Sequence, residues 1–167
     1  SAIKLIGDNI RQAYSEPFNL DAKGKLLLAS TMTGIAFDQS GLGVAHCMGH
    51  PMSGLFDVPH GVACAMALPV AMEYNLMAAK EKFVEIAKAL GQNVANLSLR
   101  EDAFLAIKAI KDIMIDLDMP LTLKRVNINE NDIPSLVKDA MKFPGMLGAN
   151  PRTVTAKDMD KLFRKLL

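Results

Sequence analysis

Residues 41–69 read GLGVAHCMGHPMSGLFDVPHGVACAMALP, and this stretch decides the fold of the 167-residue chain. It lies in a low-charge block: no residue between Asp38 and Asp57 carries a formal charge, and none does from Val58 to Met72. All three histidines and both cysteines of the chain lie in this block. Prolines and glycines interrupt it, whereas a membrane span needs about 20 clean apolar residues. We therefore interpret it as buried, kinked helices around a polar site, and a plain hydrophobic core is the alternative.

The flanking segments have apolar residues three and four positions apart, which is the spacing of amphipathic helices. These residues are Ile3, Ile6, Ile10 and Tyr14; the stretch Leu20–Phe37, ending near Gly41; Ala79, Phe83, Ile86 and Leu90; Phe104, Ile107, Ile110, Met114 and Leu117; Ile133, Leu136, Val137, Ala140 and Met141; and Met159, Leu162, Phe163 and Leu166. Nowhere do β-branched residues alternate strictly with polar ones over five or more positions. The sequence therefore predicts an all-α fold, with residues 1–167 forming a single helical domain.

Several residues predict where these helices begin and end. Ser98 and Glu101 have the spacing of a capping box, and Thr155 is a suitable N-cap for the last helix. Gly91 suits the left-handed position that follows a helix. Pro120 cannot continue the helix before it.

Composition excludes several classes of function. Nineteen basic and eighteen acidic residues leave a net charge of +1, so we expect no binding to nucleic acid or to an anionic membrane. A composition that is 50% hydrophobic and 22% charged excludes a disordered tail. The chain has no Gly-rich dinucleotide fingerprint and no Walker lysine loop, so it holds no nucleotide-binding unit. No secretory signal is visible, and a cytoplasmic location is the expectation.

The three histidines are the candidate metal ligands. His46 and His50 are four positions apart and share one face of a helix, and His60 follows His50 by ten positions. Neutral imidazole is a common ligand of zinc and iron, and spacing alone pairs His46 with His50. Two alternatives stay open: histidines that are satisfied within a core, and a structural zinc site in which Cys47 and Cys64 join the histidines.

The same residues resemble the signature of the iron-containing (group III) alcohol dehydrogenase family. The matching positions are Gly43-x-x-His46-x-x-x-His50-Pro51, His60-Gly61, and Leu68-Pro69 to Asn75. The ending Asn150-Pro151-Arg152 and, in the opening helices, Ala29-Ser30 and Gly34-x-Ala36-Phe37 are also similar. The resemblance therefore covers essentially the whole chain, and it implies the helical, dehydroquinate synthase-like C-terminal domain of that family. Cys47, Gly49 and the pair Ser53-Gly54 depart from the family pattern and alter the cavity wall beside the metal.

The resemblance also implies roles for the histidines. The family metal is held by one Asp and three His, two of which correspond to His46 and His60. The residue matching His50 is not a ligand but lies near the nicotinamide and the substrate, where it is expected to orient the substrate or relay its hydroxyl proton. The resemblance thus assigns His46 and His60 as metal ligands, in place of the pair His46 and His50 that spacing alone suggests. The remaining ligands and the glycine-rich phosphate loop would belong to sequence upstream of Ser1.

The activity implied by the resemblance is the interconversion of primary alcohols or diols and aldehydes with NAD or NADP. The metal, expected to be Fe2+ with Zn2+ as the alternative, would act as a Lewis acid. The expected partners are a small alcohol or aldehyde, an N-terminal dinucleotide-binding domain and further copies in a homo-oligomer. With only part of this machinery, the isolated chain is expected to be inactive. The competing hypothesis is a non-catalytic helical module, for interaction or metal binding, that has lost the dinucleotide domain.

Overall fold

The structure is a computed structural model that describes residues 1–94 and 98–167, and every regular element in these ranges is a helix. The α-helices are α1 Ala2–Ser15, α2 Leu20–Ser40, α3 Val44–Phe56, α4 His60–Asn75, α5 Lys80–Ala89, α6 Leu99–Asp116, α7 Ile133–Ala140, α8 Pro144–Ala149 and α9 Ala156–Arg164. Short 3-10 helices cover Leu76–Ala78, Leu123–Val126 and Glu130–Asp132. The predicted all-α fold is confirmed.

The helices belong to two compact units. The first unit contains Ser1–Ser40 and Ala79–Asp118, and the second contains Gly41–Ala78 and Met119–Leu167. All three histidines and both cysteines lie in the second unit. The expectation that residues 1–167 form one domain stays a prediction.

In the first unit α1 packs on α2, and α5 packs on α6. The predicted ends of α5 and α6 are confirmed. Gly91 has a φ of +77°, and the N–H groups of Gly91 and Gln92 donate to the carbonyls of Lys88 and Ala87 at 3.0 and 2.9 Å, as in a Schellman motif. Ser98 and Glu101 form a complete capping box.

Some residues of the predicted apolar stripes are more exposed than their spacing suggests. In α6 the alanines Ala103 and Ala106 are fully buried beside Ile107, whereas Phe104 is 47% exposed. The buried face is centred on these small residues, which allow close packing, and Phe104 lies outside it. In α2 the only buried residues are Ala22 and Ala29.

The second unit buries the low-charge block. α3 packs on α4, α7 and α8, and α9 packs on α7 and α4. The core includes Met48, Met52, Met66, Leu136 and Phe163, each at most 1% exposed. Both interpretations of the block therefore hold in part, because it forms a hydrophobic core and also carries the histidines.

One segment among the described residues is long and apolar enough to cross a membrane, by length and composition only. It covers the 19 residues of His60–Ala78, and half of it is buried inside the protein. A core helix of a soluble protein meets the same criteria, so the segment is weak evidence for a span.

The N-terminus of α9 depends on a capping box that Thr155 forms with Asp158. The Thr155 hydroxyl accepts from the Asp158 N–H at 3.2 Å, and the Asp158 carboxylate accepts from the Thr155 N–H at 3.1 Å. Hydrogen bonds from the Thr155 hydroxyl and N–H hold the pKa of Asp158 below its usual value of 3.8.

Thr155→Ala is expected to lower the free energy of unfolding by about 1 kcal/mol, because it removes the cap. Since the pKa of folded Asp158 is lowered, its contribution is present above the unfolded value and is lost as the pH falls through the folded value. Urea unfolding at neutral and acidic pH measures both effects. Thr153→Ala, at an exposed position nearby, is the control and should change stability by no more than about 0.5 kcal/mol. An equal loss in both variants would contradict the role of the cap.

Candidate metal centre

A tight turn joins the two helices that carry the histidines. α3 ends where the N–H groups of Asp57 and Val58 both donate to the carbonyl of Met52. Asp57 has a φ of 55°, a left-handed conformation that Asp tolerates better than most residues. Pro59 follows as the N-cap, so that His60 is the first residue of α4.

α3 and α4 approach each other closely at Gly49 and Cys64. A Cβ atom on Gly49 would lie 2.6 Å from the Cys64 Sγ and 3.3 Å from the Cys64 backbone nitrogen. Only glycine fits this contact without a shift of the opposite helix. His46 and His50 lie on either side of Gly49 in the chain, so the contact places both of them beside the N-terminal turns of α4.

Two of the histidines and one cysteine come together. The ring centroids of His46 and His60 are 5.6 Å apart. The ligand atoms of His46, His60 and Cys64 all lie within 4.8 Å of one another, and they are the group of three or more potential metal ligands found among the residues that the structure describes. The structure thus brings together the two histidines that the resemblance assigns to the metal, and their role as ligands stays a prediction.

His50 lies beside His60 but outside this group of three ligand residues. Its ring centroid lies 5.2 Å from that of His60, and the ring stacks on Phe143 at 4.6 Å. The Nε2 atom is buried and has no hydrogen-bond partner. The group of three converging ligand atoms therefore contains His46 with His60, and does not contain the His50 that spacing alone pairs with His46. A sequence pattern could not show the stack on Phe143, which lies far along the chain.

The zinc site with two cysteines is not assembled either. Cys47 is fully buried and lies outside the ligand group. Burial also raises the pKa of its thiol to about 11. Cys47 is therefore a core residue, and only Cys64 accompanies the histidines.

Ser53, which the family resemblance places in a cavity wall, orients His60. The Ser53 hydroxyl donates to the Gly49 carbonyl at 3.1 Å and lies 3.4 Å from the His60 Nδ1. Because the hydroxyl hydrogen is donated to the Gly49 carbonyl, the hydroxyl oxygen accepts a hydrogen bond from the Nδ1–H of His60. This contact places a proton on the His60 Nδ1 and leaves Nε2, which lies 3.5 Å from the Cys64 Sγ, available to a metal.

The surroundings of His46 favour its neutral imidazole. Burial lowers the pKa of His46, and repulsion from His60 and from His50 lowers it further. Neutral His46 presents a lone pair to a cation. Burial raises the pKa of Cys64, so without a metal this residue is a thiol at neutral pH and donates weakly to the His60 Nε2 at 3.5 Å.

A pair of buried asparagines fixes the start of α3. The Asn150 Oδ1 accepts from the Val44 N–H at 3.2 Å and from the Asn75 Nδ2 at 2.9 Å. The Asn150 Nδ2 donates to the Asn75 Oδ1 at 2.8 Å and to the Arg152 carbonyl at 2.6 Å. The N-cap residue of α3, Gly43, has no side chain, so Asn150 supplies the missing cap acceptor. The helix that carries His46 and His50 is therefore capped at its N-terminus by the side chain of a residue that lies 106 positions after Val44.

The chain matches the family described as "Fe-containing alcohol dehydrogenase family, C-terminal" over residues 1–167. It is 40% identical to the 1,3-propanediol dehydrogenase of Citrobacter freundii over 164 residues, which cover 98% of this chain and 42% of the relative. It is 30% identical to the NAD-dependent methanol dehydrogenase of Bacillus methanolicus over 166 residues, covering 99% of this chain and 43% of that protein. A crystal structure of a 1,3-propanediol oxidoreductase matches with a TM-score of 0.96 and 38% identity, covering 99% of this chain and 43% of that one. The chain thus spans less than half the length of these proteins.

Proposed function

Since the chain belongs to the Fe-containing alcohol dehydrogenase family, we propose that it forms the metal-binding side of an enzyme that interconverts alcohols and aldehydes. The observation that carries the proposal is the convergence of His46 and His60 across α3 and α4. Two relatives named for 1,3-propanediol and methanol support a small primary alcohol or diol as the substrate. The name of the second also supports NAD as the redox cofactor, with NADP as the alternative.

The residues present fit a divalent metal. The lowered pKa of His46 keeps its imidazole neutral, and Ser53 holds the ring of His60 with Nε2 free for coordination. We assign His46 and His60 as ligands of Fe2+, or of Zn2+ as the alternative. When bound, the ion supplies a Lewis acid for the oxygen of the alcohol or aldehyde.

His50 is proposed as the residue that handles the hydroxyl proton. Its Nε2 is buried without a partner, and such an atom costs about 1–3 kcal/mol unless a hydrogen bond satisfies it. A substrate hydroxyl beside the metal would provide that hydrogen bond. Stacking on Phe143 fixes the ring in this orientation, so His50 can hold the proton at Nε2 without turning.

The remaining residues of the active site are proposed to come from a further domain and from partner subunits. The chain covers 42% of the Citrobacter relative, and we assign the rest of the active site to a dinucleotide-binding domain and to further copies in a homo-oligomer. Exposed apolar side chains support such partners, because Phe18, Leu27 and Ile35 are 94%, 70% and 70% exposed. The 167-residue chain by itself is therefore expected to lack dehydrogenase activity.

Anaerobic titration of the chain with Fe(II) and Zn(II) tests the metal assignment. We expect saturable binding of one ion by the unchanged protein. His46→Ala and His60→Ala should each weaken binding by more than about 100-fold, because losing a second-shell partner alone costs 10–100-fold. His50→Ala, the matched control from the same cluster, should retain the affinity.

Two outcomes would contradict the assignment. Binding that survives both His46→Ala and His60→Ala would place the metal elsewhere. No binding to a folded chain would support the alternative, a helical module without a metal-dependent activity. Circular dichroism of each variant shows whether the chain is folded.

A further inference from the structure

We infer that Cys64 is a third metal ligand, so that this chain offers two imidazoles and one thiolate and favours zinc over iron. The inference rests on the proposed function for the metal itself and adds a ligand and a preference. The carrying observation is that Cys64, and neither Cys47 nor His50, shares the 4.8 Å group with His46 and His60.

The position of the sulfur fits a tetrahedral metal. Zinc binds nitrogen at about 2.0–2.1 Å and sulfur at about 2.3 Å, so two such ligand atoms on one tetrahedral ion are about 3.5 Å apart. The Cys64 Sγ lies 3.5 Å from the His60 Nε2. The Cys64 Sγ and the His60 Nε2 therefore already lie at a separation that allows both to bind one zinc ion.

The fold holds the sulfur in this place from two sides. Cys64 follows His60 by four residues in α4, so both side chains share one face of the helix. On the opposite side, the missing Cβ of Gly49 leaves the space that the Sγ occupies, since a Cβ there would lie 2.6 Å away. The third member of the group, His46, has a ligand atom within 4.8 Å of those of His60 and Cys64.

Thiolate changes the preference for the metal. Soft sulfur ligands select zinc over harder cations, and sites that combine cysteine and histidine are characteristic of zinc. As the metal–sulfur bond forms, the thiol proton leaves to solvent, and the hydrogen bond to the His60 Nε2 is replaced by coordination of both atoms. No oxidation or reduction accompanies this step.

Cobalt(II) is the probe for the test, because a thiolate on Co(II) gives a charge-transfer absorption band in the near ultraviolet that histidine ligands do not give. We expect the unchanged chain and Cys47→Ala to bind one Co(II) with this band. Cys64→Ala should lose the band and bind Zn(II) at least about tenfold more weakly. Affinity for Fe(II) should fall less than affinity for Zn(II). Cys47→Ala is the matched control because it removes the other thiol of the chain.

A second measurement uses the unchanged chain, so that its result does not depend on whether the variants fold. Saturating Zn(II) should slow alkylation of Cys64 by iodoacetamide at least about tenfold, as followed by mass spectrometry of the modified peptide, because a metal-bound thiolate is shielded. An unchanged rate with Zn(II) bound would overturn the inference.

The outcomes separate this inference from the proposed function. Visible Co(II) bands without the charge-transfer band, abolished by His60→Ala, would keep the histidine site and reject Cys64 as a ligand. A charge-transfer band that persists in Cys64→Ala would do the same. No binding by a folded chain would reject both.

Discussion

Replacing Asn150 by alanine is expected to lower the free energy of unfolding by about 2–4 kcal/mol, since each buried polar group left without a partner costs about 1–3 kcal/mol. The substitution removes the acceptor of the Val44 N–H. It also removes both bonds to Asn75, a residue that is only 8% exposed. The start of α3 then lacks a cap, and the Asn75 amide is left in the interior without its partner.

Urea unfolding followed by circular dichroism measures this loss. Asn93→Ala, at an exposed asparagine, is the control, and a change of no more than about 0.5 kcal/mol is expected. Asn75→Ala should cost a similar amount to Asn150→Ala, and the double variant should cost less than the sum because the two amides share their hydrogen bonds. Strict additivity would show that the two amides do not act as a pair.

Gly49→Ala has the second large effect, a loss of about 1–3 kcal/mol from overpacking of a close helix contact. The added Cβ would meet the Cys64 Sγ at 2.6 Å and the Cys64 backbone nitrogen at 3.3 Å. The side chain can turn away, but the backbone has to move. Metal affinity should fall together with stability, because the same contact sets the distance between His46 and His60. Thermal unfolding and Zn(II) titration of the variant measure the two effects.

Gly54→Ala is the matched control for this change. Gly54 lies in the same helix, and a Cβ there would have no neighbour within 4 Å. Alanine should stabilise α3 at that position by about 0.5–1 kcal/mol, because glycine costs conformational entropy in a helix. Combining Gly49→Ala with Cys64→Ala should restore part of the lost stability. If the two alanine substitutions in α3 have the same effect, the close contact is not a constraint.

The parts of the fold that depend on neighbours in sequence could be predicted. The capping box of Ser98 and Glu101 and the left-handed Gly91 are set by residues within one or two helical turns. The stripe of the last helix, from Met159 to Leu166, is likewise buried as its period predicts. The 47% exposure of Phe104 was not predicted, because periodicity finds an apolar face but does not show that the buried part of the face is centred on the small residues Ala103 and Ala106 of the same helix.

The geometry of the site was less accessible from the sequence. Spacing within a helix favoured His46 with His50, whereas the converging atoms belong to His46, His60 and Cys64, which come from two helices. Only the resemblance to a family supplied the pairing across helices. Ser53 and Asn150 were noticed through the family resemblance, but the hydrogen bonds by which they orient His60 and cap α3 could not be predicted, since each depends on where separate segments meet.

The cap on α3 has a consequence for the order of events during synthesis. Val44 and Asn150 are 106 positions apart, and Asn75 and Asn150 are 75 apart. When the histidines emerge from the ribosome, the residue that completes the first turn of their helix has not yet been made. Contacts between such distant positions slow folding, because a long loop must close before they form. The helix that carries His46 and His50 is therefore capped only after residue 150 has been translated.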